Sequence, residues 1–160
     1  MLTFLLKSHT FVLTLIITLR YTKRKNKRFF MRDSARAVII ENDKLLVIFR
    51  RKIKDGTTKE YYVIPGGGIE KGETPQMAVV RELKEELNVD IEVLRYLGEN
   101  ERENGKDIYF SCKILSGRPT LGGEELDRMT KENYYEPMYI DLLKLDEYNI
   151  SAKDIIRSAR

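Results

Sequence analysis

The chain has 160 residues, of which 42% are hydrophobic and 34% are charged, a composition typical of one globular domain of ordinary size. Cys112 is its single cysteine and His9 its single histidine, which excludes a disulfide framework and a Cys/His zinc site within one chain. The formal net charge of +4 would, if evenly spread, indicate nucleic acid or an anionic membrane as a partner.

The positive charge is concentrated in the first thirty residues. Residues 1–30 contain seven Lys and Arg side chains and no acidic one, whereas residues 31–160 contain 22 basic and 25 acidic side chains, a net charge of −3. We therefore predict a basic leader, residues 1–30, followed by a mildly acidic domain, residues 31–160. Because the domain has no basic stripe, we expect no nucleic-acid binding outside the leader.

The leader has three interpretations that the sequence leaves open. Residues 1–19 are mostly apolar and as a helix would span about 28 Å, just enough for a bilayer core. One interpretation is an anchor within residues 1–22 that tethers the domain to the cytoplasmic face of a membrane. The others are a mis-assigned extension before a true start at Met31, and a helix that lies on a surface or binds a partner. The apolar run precedes the basic cluster, the opposite order to a cleavable secretory signal, so we expect a cytoplasmic domain.

The domain begins with β-rich segments that lead to three consecutive glycines. The predicted elements, in chain order, are a β-hairpin formed by Ala35–Ile40 and Leu45–Arg50, a polar basic loop at Arg51–Lys59, and a strand at Glu60–Ile64 that Pro65 ends. Glycines at 66–68 then indicate an unusual backbone path.

A strong helix signal follows the glycines. Thr74 is a suitable N-cap, Pro75 suits the first helical position, and Asn88 can adopt the left-handed conformation at the end of Gln76–Leu87. Val80, Leu83 and Leu87 are spaced to pack into a core. The later predicted elements are strands at Ile91–Leu97, Ile108–Leu115 and Met138–Ile140, and helices at Asp141–Tyr148 and Ser151–Arg160. A polar loop is predicted at Gly117–Asn133, and a helical turn near Glu124–Met129 is left open within it. This irregular alternation favours an α/β or α+β fold with a mixed sheet.

Three carboxylates share one face of the predicted helix. Glu82, Glu85 and Glu86 stand at positions i, i+3 and i+4, where like charges repel one another unless solvent or a cation compensates them. Mg²⁺ prefers oxygen ligands and commonly uses a few carboxylates together with substrate phosphates. From the helix alone a solvated acidic surface is the simpler interpretation; the glycines before it, which free backbone carbonyls for a metal, favour a metal site.

The spacing of these residues resembles the Nudix box. The matching residues are Gly67, Glu73, Arg81, Glu82, Leu83, Glu85, Glu86 and Val89. Asn88 stands where the family has Gly; Asn is the next most tolerant residue for a left-handed helix end, so the departure hardly affects the chemistry. The resemblance covers roughly Arg36–Leu145 and implies the Nudix fold, an α/β/α sandwich with a central mixed β-sheet.

This resemblance implies a hydrolase that uses Mg²⁺ or Mn²⁺ to cleave a diphosphate linked to another moiety, usually in a nucleoside diphosphate derivative. By position it implies that Glu82, Glu85, Glu86 and the backbone carbonyl of Gly66 bind the metal, and that Arg81 and Glu73 orient the loop and the helix. We predict catalytic roles for these five box side chains. The general base would be a box glutamate or one of the loop glutamates Glu124, Glu125 and Glu132.

Further residues are candidates for binding the substrate. We predict phosphate contacts from Arg50 and Arg51, and weigh Arg36 and Lys52 as alternatives. We predict that Tyr62 stacks on a nucleobase, although alternate strand residues face opposite sides and Tyr61 could take that place. Gly67 and Glu125 complete the predicted substrate site.

The substrate class stays open among ADP-ribose, ordinary or oxidised nucleoside triphosphates and dinucleoside polyphosphates. An alternative function is a non-catalytic Nudix-fold sensor of a nucleotide derivative, although such domains usually lose box carboxylates and all are present here. A homodimer is possible. Cys112 alternates with apolar neighbours and is expected to be buried.

Overall fold

The computed structural model describes residues 32–160; the predicted leader and Met31 lie outside the described residues. The strands are β1 (Ser34–Val38), β2 (Ile40–Glu41), β3 (Lys44–Lys54), β4 (Thr57–Val63), β5 (Gly66–Gly68), β6 (Asp90–Arg102), β7 (Gly105–Ser116) and β8 (Asn133–Asp141). The helices are α1 (Pro75–Leu87), α2 (Gly123–Asp127), a 3₁₀ helix (Leu142–Glu147) and α3 (Lys153–Arg157). No helix among residues 32–160 is long and apolar enough to cross a membrane.

The first sheet is mixed and carries the glycines at its edge. Its strand order is β5, β1, β7, β6. β1 runs parallel to β7 and antiparallel to β5, and β6 is antiparallel to β7. The predicted α+β fold with a mixed sheet is therefore confirmed.

The second sheet is antiparallel and is built around β3. Ile48 of β3 pairs with Val63 of β4 and with Pro137 of β8, so β4 and β8 lie on opposite edges of β3. β2 pairs with the beginning of β3 across a tight turn at Asn42 and Asp43, which both have positive φ. That conformation matches the twist of a two-residue hairpin and suits Asn and Asp.

Two predictions for this region need correction. The predicted hairpin forms only through Ile39–Glu41, because Ser34–Val38 belongs to the mixed sheet and pairs with β5 and β7 instead. The predicted loop at Arg51–Lys59 is itself a hairpin: β3 continues to Lys54 and β4 starts at Thr57, with Asp55 and Gly56 at positive φ between them. Polar residues on both faces of these strand ends concealed the β pattern.

Helix α1 begins and ends where the sequence predicts. Thr74 accepts the Met77 N–H at 3.2 Å, Pro75 opens the helix, and Asn88 follows it in the left-handed conformation at φ 57°. The buried stripe differs from the predicted one: Val80 is 40% exposed and Val79 is buried in its place. The stripe is displaced because α1 must bury Glu86 as well as Leu83 against the mixed sheet.

The core consists of two apolar clusters formed by alternating residues of the same strands. Leu46 and Ile48 join the cluster that packs against α1, whereas Leu45 and Val47 join the cluster under the 3₁₀ helix and α3. Burial on both faces explains the continuous apolar run in β3. Cys112 is buried and unpaired, as predicted.

Candidate active site

A cavity of about 550 Å³ lies between the glycines of β5, the acidic face of α1 and the beginning of α2. Its lining residues are Arg32, Gly66, Gly67, Gly68, Glu70, Arg81, Glu82, Glu85, Glu86, Gly123, Glu124, Glu125 and Asp127. Seven of them are acidic and two are arginines. A volume of this size suits a small ligand, and an excess of carboxylates suits a cation.

The glycine turn allows the sheet and the helix to approach closely. Gly66 has φ 126°, and a Cβ there would lie 2.2 Å from the carbonyl oxygen of Ala35. At Gly67 a Cβ would lie 2.3 Å from the Glu82 carboxylate. Glycine is thus required at the first position by the backbone, whereas at the second a side chain would displace the carboxylate that faces it.

Glu86 is the buried carboxylate of the cavity. It is 8% exposed, and its Oε2 accepts the Gly66 N–H at 2.9 Å. No cation among residues 32–160 forms an ion pair with it. Burial raises the pKa of Glu86 to about 7, an effect that the hydrogen bond from Gly66 partly offsets and the charge of Glu125 reinforces. The site therefore holds a carboxylate whose charge the protein alone compensates poorly.

Arg81 ties the helix to the loop before it. Its guanidinium donates to both carboxylate oxygens of Glu73, at 2.8 and 2.9 Å, and to the Gly68 carbonyl at 3.1 Å. It also donates to Glu82 at 2.8 Å and to Glu85 at 3.1 Å. The bidentate contact of Arg81 with Glu73 has the geometry in which arginine binds carboxylates most strongly. Arg81 therefore lies against Glu73, as the resemblance implied.

The Arg81–Glu73 contact predicts a pH dependence of stability. Hydrogen bonds from Arg81 and from the Glu70 N–H lower the pKa of Glu73 to about 2. Between about pH 2 and pH 4.5, Glu73 therefore stays ionised in the folded state while it is protonated in the unfolded chain. The stabilisation by its contact with Arg81 is fully present above about pH 4.5 and is lost as the pH falls toward 2. We expect Glu73→Gln to melt at a lower temperature than the wild type at pH 7, with the difference narrowing steadily toward pH 2.5.

Melting temperatures between pH 2.5 and 7 would test this expectation. Glu92→Gln is the matched control, because Glu92 is exposed on β6. A constant difference between Glu73→Gln and the wild type over this range would contradict the assignment.

Helix α2 brings two loop glutamates to the cavity. Gly122 donates to the Glu86 carbonyl at 2.8 Å, and a Cβ on Gly122 would lie 2.7 Å from the carbonyl oxygen of Glu85. This contact places Glu124 and Glu125 in the cavity lining. Glu124 pairs with Arg128, which leaves Glu125 as the better placed of the two. The third loop candidate, Glu132, does not line the cavity.

The carboxylates that line the cavity are suitable ligands for a hard divalent cation, although their oxygens do not surround a single point. Across residues 32–160, no three acidic, histidine or cysteine side chains stand in an arrangement that could hold a metal ion. Glu82 and Glu85 instead bind Arg81, and Glu86 binds Gly66. Carboxylate oxygens that line one cavity, one of them buried without a counter-charge, are the ligands that Mg²⁺ and Mn²⁺ prefer.

Three predicted substrate contacts lie outside this cavity. Arg50 donates to the Tyr135 hydroxyl at 2.7 Å and covers the Tyr135 ring. Arg51 lies over the ring of Tyr134 at 5.0 Å. Tyr62 packs between the rings of Phe49 and Tyr148, at centroid distances of 5.4 and 5.1 Å. Their roles in binding a substrate stay predictions.

Arg32 was not predicted from the sequence as a cavity residue, and the contacts that Arg36 makes were not predicted either. Arg32 donates to the carbonyls of Gly68 at 2.8 Å and Ile69 at 3.0 Å. Arg36, weighed as a phosphate contact, binds Asp107 and the Gly66 carbonyl, and its role toward a substrate stays a prediction. Both arginines reach the glycine turn through the pairing of β1 with β5, for which the sequence offers no local signal.

The sequence model of the NUDIX domain matches residues 31–150, and the chain belongs to this family. It is 43% identical over 51 residues to the 8-oxo-dGTP diphosphatase of Escherichia coli strain K12, a match that covers 32% of this chain and 40% of that protein. It is 33% identical over 92 residues to the ADP-ribose pyrophosphatase of Methanocaldococcus jannaschii, covering 54% of this chain and 53% of that protein. The matches thus span about half or less of each of these curated relatives.

A solved structure shares the fold over nearly its whole length. The MutT NUDIX hydrolase from Burkholderia pseudomallei superimposes with a TM-score of 0.60 at 21% identity, covering 78% of this chain and 94% of that one. At this identity the likeness establishes the fold.

Proposed function

We propose that this protein is a divalent-metal-dependent hydrolase that cleaves the diphosphate linkage of a nucleoside diphosphate joined to another moiety. The observation that carries the proposal is the hydrogen bond between the Gly66 turn and the buried carboxylate of Glu86 in an acidic cavity. A fold without a cation to bind would gain nothing from burying that charge. The relatives named for hydrolysis of 8-oxo-dGTP and of ADP-ribose support a nucleotide-linked diphosphate as the substrate.

The residues that would hold Mg²⁺ or Mn²⁺ are Glu82, Glu85, Glu86 and the carbonyl of Gly66. When bound, such an ion supplies charge neutralisation for the diphosphate, polarisation of a phosphorus–oxygen bond and a lowered pKa for its water. Gly67 gives Glu82 the space to reach the cavity, since any side chain there would displace its carboxylate.

The chain's other residues orient the site and handle a proton. Arg81 fixes Glu82 and Glu85 relative to the glycine turn. Glu125, in the cavity lining and near enough to Glu86 to raise the pKa of that carboxyl, is our candidate to accept a proton from the attacking water. Arg32 lines the same cavity and offers a cationic contact for a phosphate.

The charge distribution is the basis for our proposals about where the domain is located and what it binds. If the leader is a membrane anchor, the basic residues 23–28 would keep the domain on the cytoplasmic side. The domain carries a net charge of −3, so we propose a small-molecule substrate and no nucleic-acid partner.

A substrate panel tests the proposed activity. The full chain would be incubated with ADP-ribose, 8-oxo-dGTP, dGTP and a dinucleoside polyphosphate, with Mg²⁺ or Mn²⁺ in excess, and products would be separated by ion-exchange chromatography. We expect release of a nucleoside monophosphate or of phosphate from at least one compound, abolished by a chelator and restored by added metal. Binding of a nucleotide without product would favour the sensor function, and neither binding nor product from any compound would contradict the proposal.

A further inference from the structure

An arginine and an aspartate lie behind the glycine turn, outside the cavity lining. Asp107 of β7 is 8% exposed. Its Oδ1 accepts a hydrogen bond from the Nε–H of Arg36 at 3.0 Å, and its Oδ2 lies 3.2 Å from Nε of Arg102. A buried carboxylate held between two guanidinium groups has little freedom to move. Asp107 therefore fixes the orientation of the Arg36 side chain.

Arg36 in turn holds the peptide group that follows Gly66. Its Nη1 donates to the Gly66 carbonyl at 2.7 Å. The peptide group before Gly66 is held from the same strand, because the Ala37 N–H donates to the Pro65 carbonyl at 2.9 Å. Both peptide planes on either side of Gly66 are thus fixed by neighbouring residues of β1.

These contacts matter because the residue between the two peptide groups is a glycine. Gly66 has φ 126° and no side chain, so its two torsion angles can vary more than those of any other residue type. The Gly66 N–H donates the hydrogen bond that the Glu86 carboxylate accepts. If the turn rotated, this N–H would point away from Glu86 and the Gly66 carbonyl would leave its present direction.

We propose that Arg36, oriented by Asp107, is a positioning residue that holds the Gly66 turn, and through it Glu86, in the conformation that binds a divalent cation. This inference rests on the proposed function, since it assigns a cation to the same cavity. It gives Arg36 a role different from a phosphate contact: Arg36 acts before any substrate arrives.

Metal affinity measured without substrate tests the proposal. The dissociation constant of Mn²⁺ for the full chain would be measured by electron paramagnetic resonance of free Mn²⁺, for the wild type, Arg36→Met, Arg36→Lys and Asp107→Asn. We expect the affinity of Arg36→Met to fall by about 10–100-fold, the range for partners that orient a metal ligand. Arg36→Lys and Asp107→Asn should lose less, because lysine can still reach one acceptor and asparagine still accepts one hydrogen bond.

Arg102→Gln is the matched control. Arg102 binds the same Asp107 carboxylate from its other oxygen but makes no hydrogen bond to Gly66. We expect it to lower the melting temperature while changing the Mn²⁺ affinity less than about threefold. If Arg36→Met does not fold, Arg36→Lys and Asp107→Asn carry the test, with folding checked by circular dichroism.

The outcomes separate the two proposals. Wild-type protein that binds no Mn²⁺ would contradict the proposed function itself. Arg36 variants that bind Mn²⁺ as tightly as the wild type, with only the KM for the nucleotide raised, would make Arg36 a substrate contact and overturn the positioning role. An equal loss of affinity in Arg102→Gln would also overturn it, because the effect would then be general loosening of the sheet.

Discussion

Replacing Glu86 by glutamine is expected to abolish hydrolysis and, in metal-free solution at pH 8, to raise the melting temperature. Activity should fall by more than about 100-fold, since even a partner that orients a metal ligand is worth about 10–100-fold. Stability should rise because glutamine removes a buried charge and keeps an oxygen that can accept the Gly66 N–H. Loss of activity and gain of stability would thus come from the same carboxylate.

The sign of the stability change follows from the pKa of Glu86. Burial raises it from 4.5 to about 7. Below pH 4.5 the carboxyl is neutral in the folded and unfolded states alike, but between pH 4.5 and 7 the unfolded chain gives up the proton more readily than the folded one. The free energy of unfolding of the wild type therefore falls by about 3 kcal/mol as the pH rises through this window.

Thermal unfolding in a chelator between pH 4 and 8 measures this effect. We expect Glu86→Gln and the wild type to melt together near pH 4 and to differ by about 10 °C at pH 8. Adding Mg²⁺ at 100 times its dissociation constant should return about 2.7 kcal/mol to the wild type alone. Glu92→Gln should follow the wild type throughout. A Glu86→Gln protein less stable than the wild type at pH 8 without metal would contradict the prediction.

Gly66→Ala is expected to destabilise the domain far more than the same change at Gly72. Both glycines have positive φ, 126° and 88°, and alanine is strained at either position by roughly 1–2 kcal/mol. At Gly66 the new Cβ would also lie 2.2 Å from the Ala35 carbonyl oxygen, whereas at Gly72 nothing lies within 4 Å. The backbone of β1 and β5 would have to separate, so we expect a total loss of about 3 kcal/mol or more.

Urea unfolding of the two variants isolates the close contact from the backbone strain. The free energy of unfolding should fall by about 1–2 kcal/mol for Gly72→Ala and by at least about twice that for Gly66→Ala. Equal losses would show that β1 and β5 do not approach as closely as described.

The helix that carries the carboxylates was predictable because its signals are local. Thr74, Pro75 and Asn88 fix where α1 begins and ends through contacts within a few residues. The acidic face then follows from helical spacing alone. The exposure of Val80 could not be predicted from helical spacing, because the sheet that packs against α1 determines which side of the helix is buried.

Contacts between distant segments were not predictable. Ala35 and Arg36 pair with glycines about 30 residues later and with β7 about 70 residues later, so nothing beside them in sequence indicates either partner. The hairpin prediction failed for this reason, and the contacts of Arg36 with Asp107 and Gly66 could not be predicted for the same reason. Arg32 was missed because its role depends on the same strand pairing.

The order in which the domain is synthesised bears on when this cavity can form. β1 lies near the start of the domain, but its parallel partner β7 and the Asp107 that orients Arg36 follow much later. At a synthesis rate of about 5–20 residues per second, Gly66 leads Asp107 by several seconds, and parallel pairing over long separations is intrinsically slow. A chain stopped before β7 would contain every glycine and glutamate of the Nudix box and still lack the strand that holds them in place.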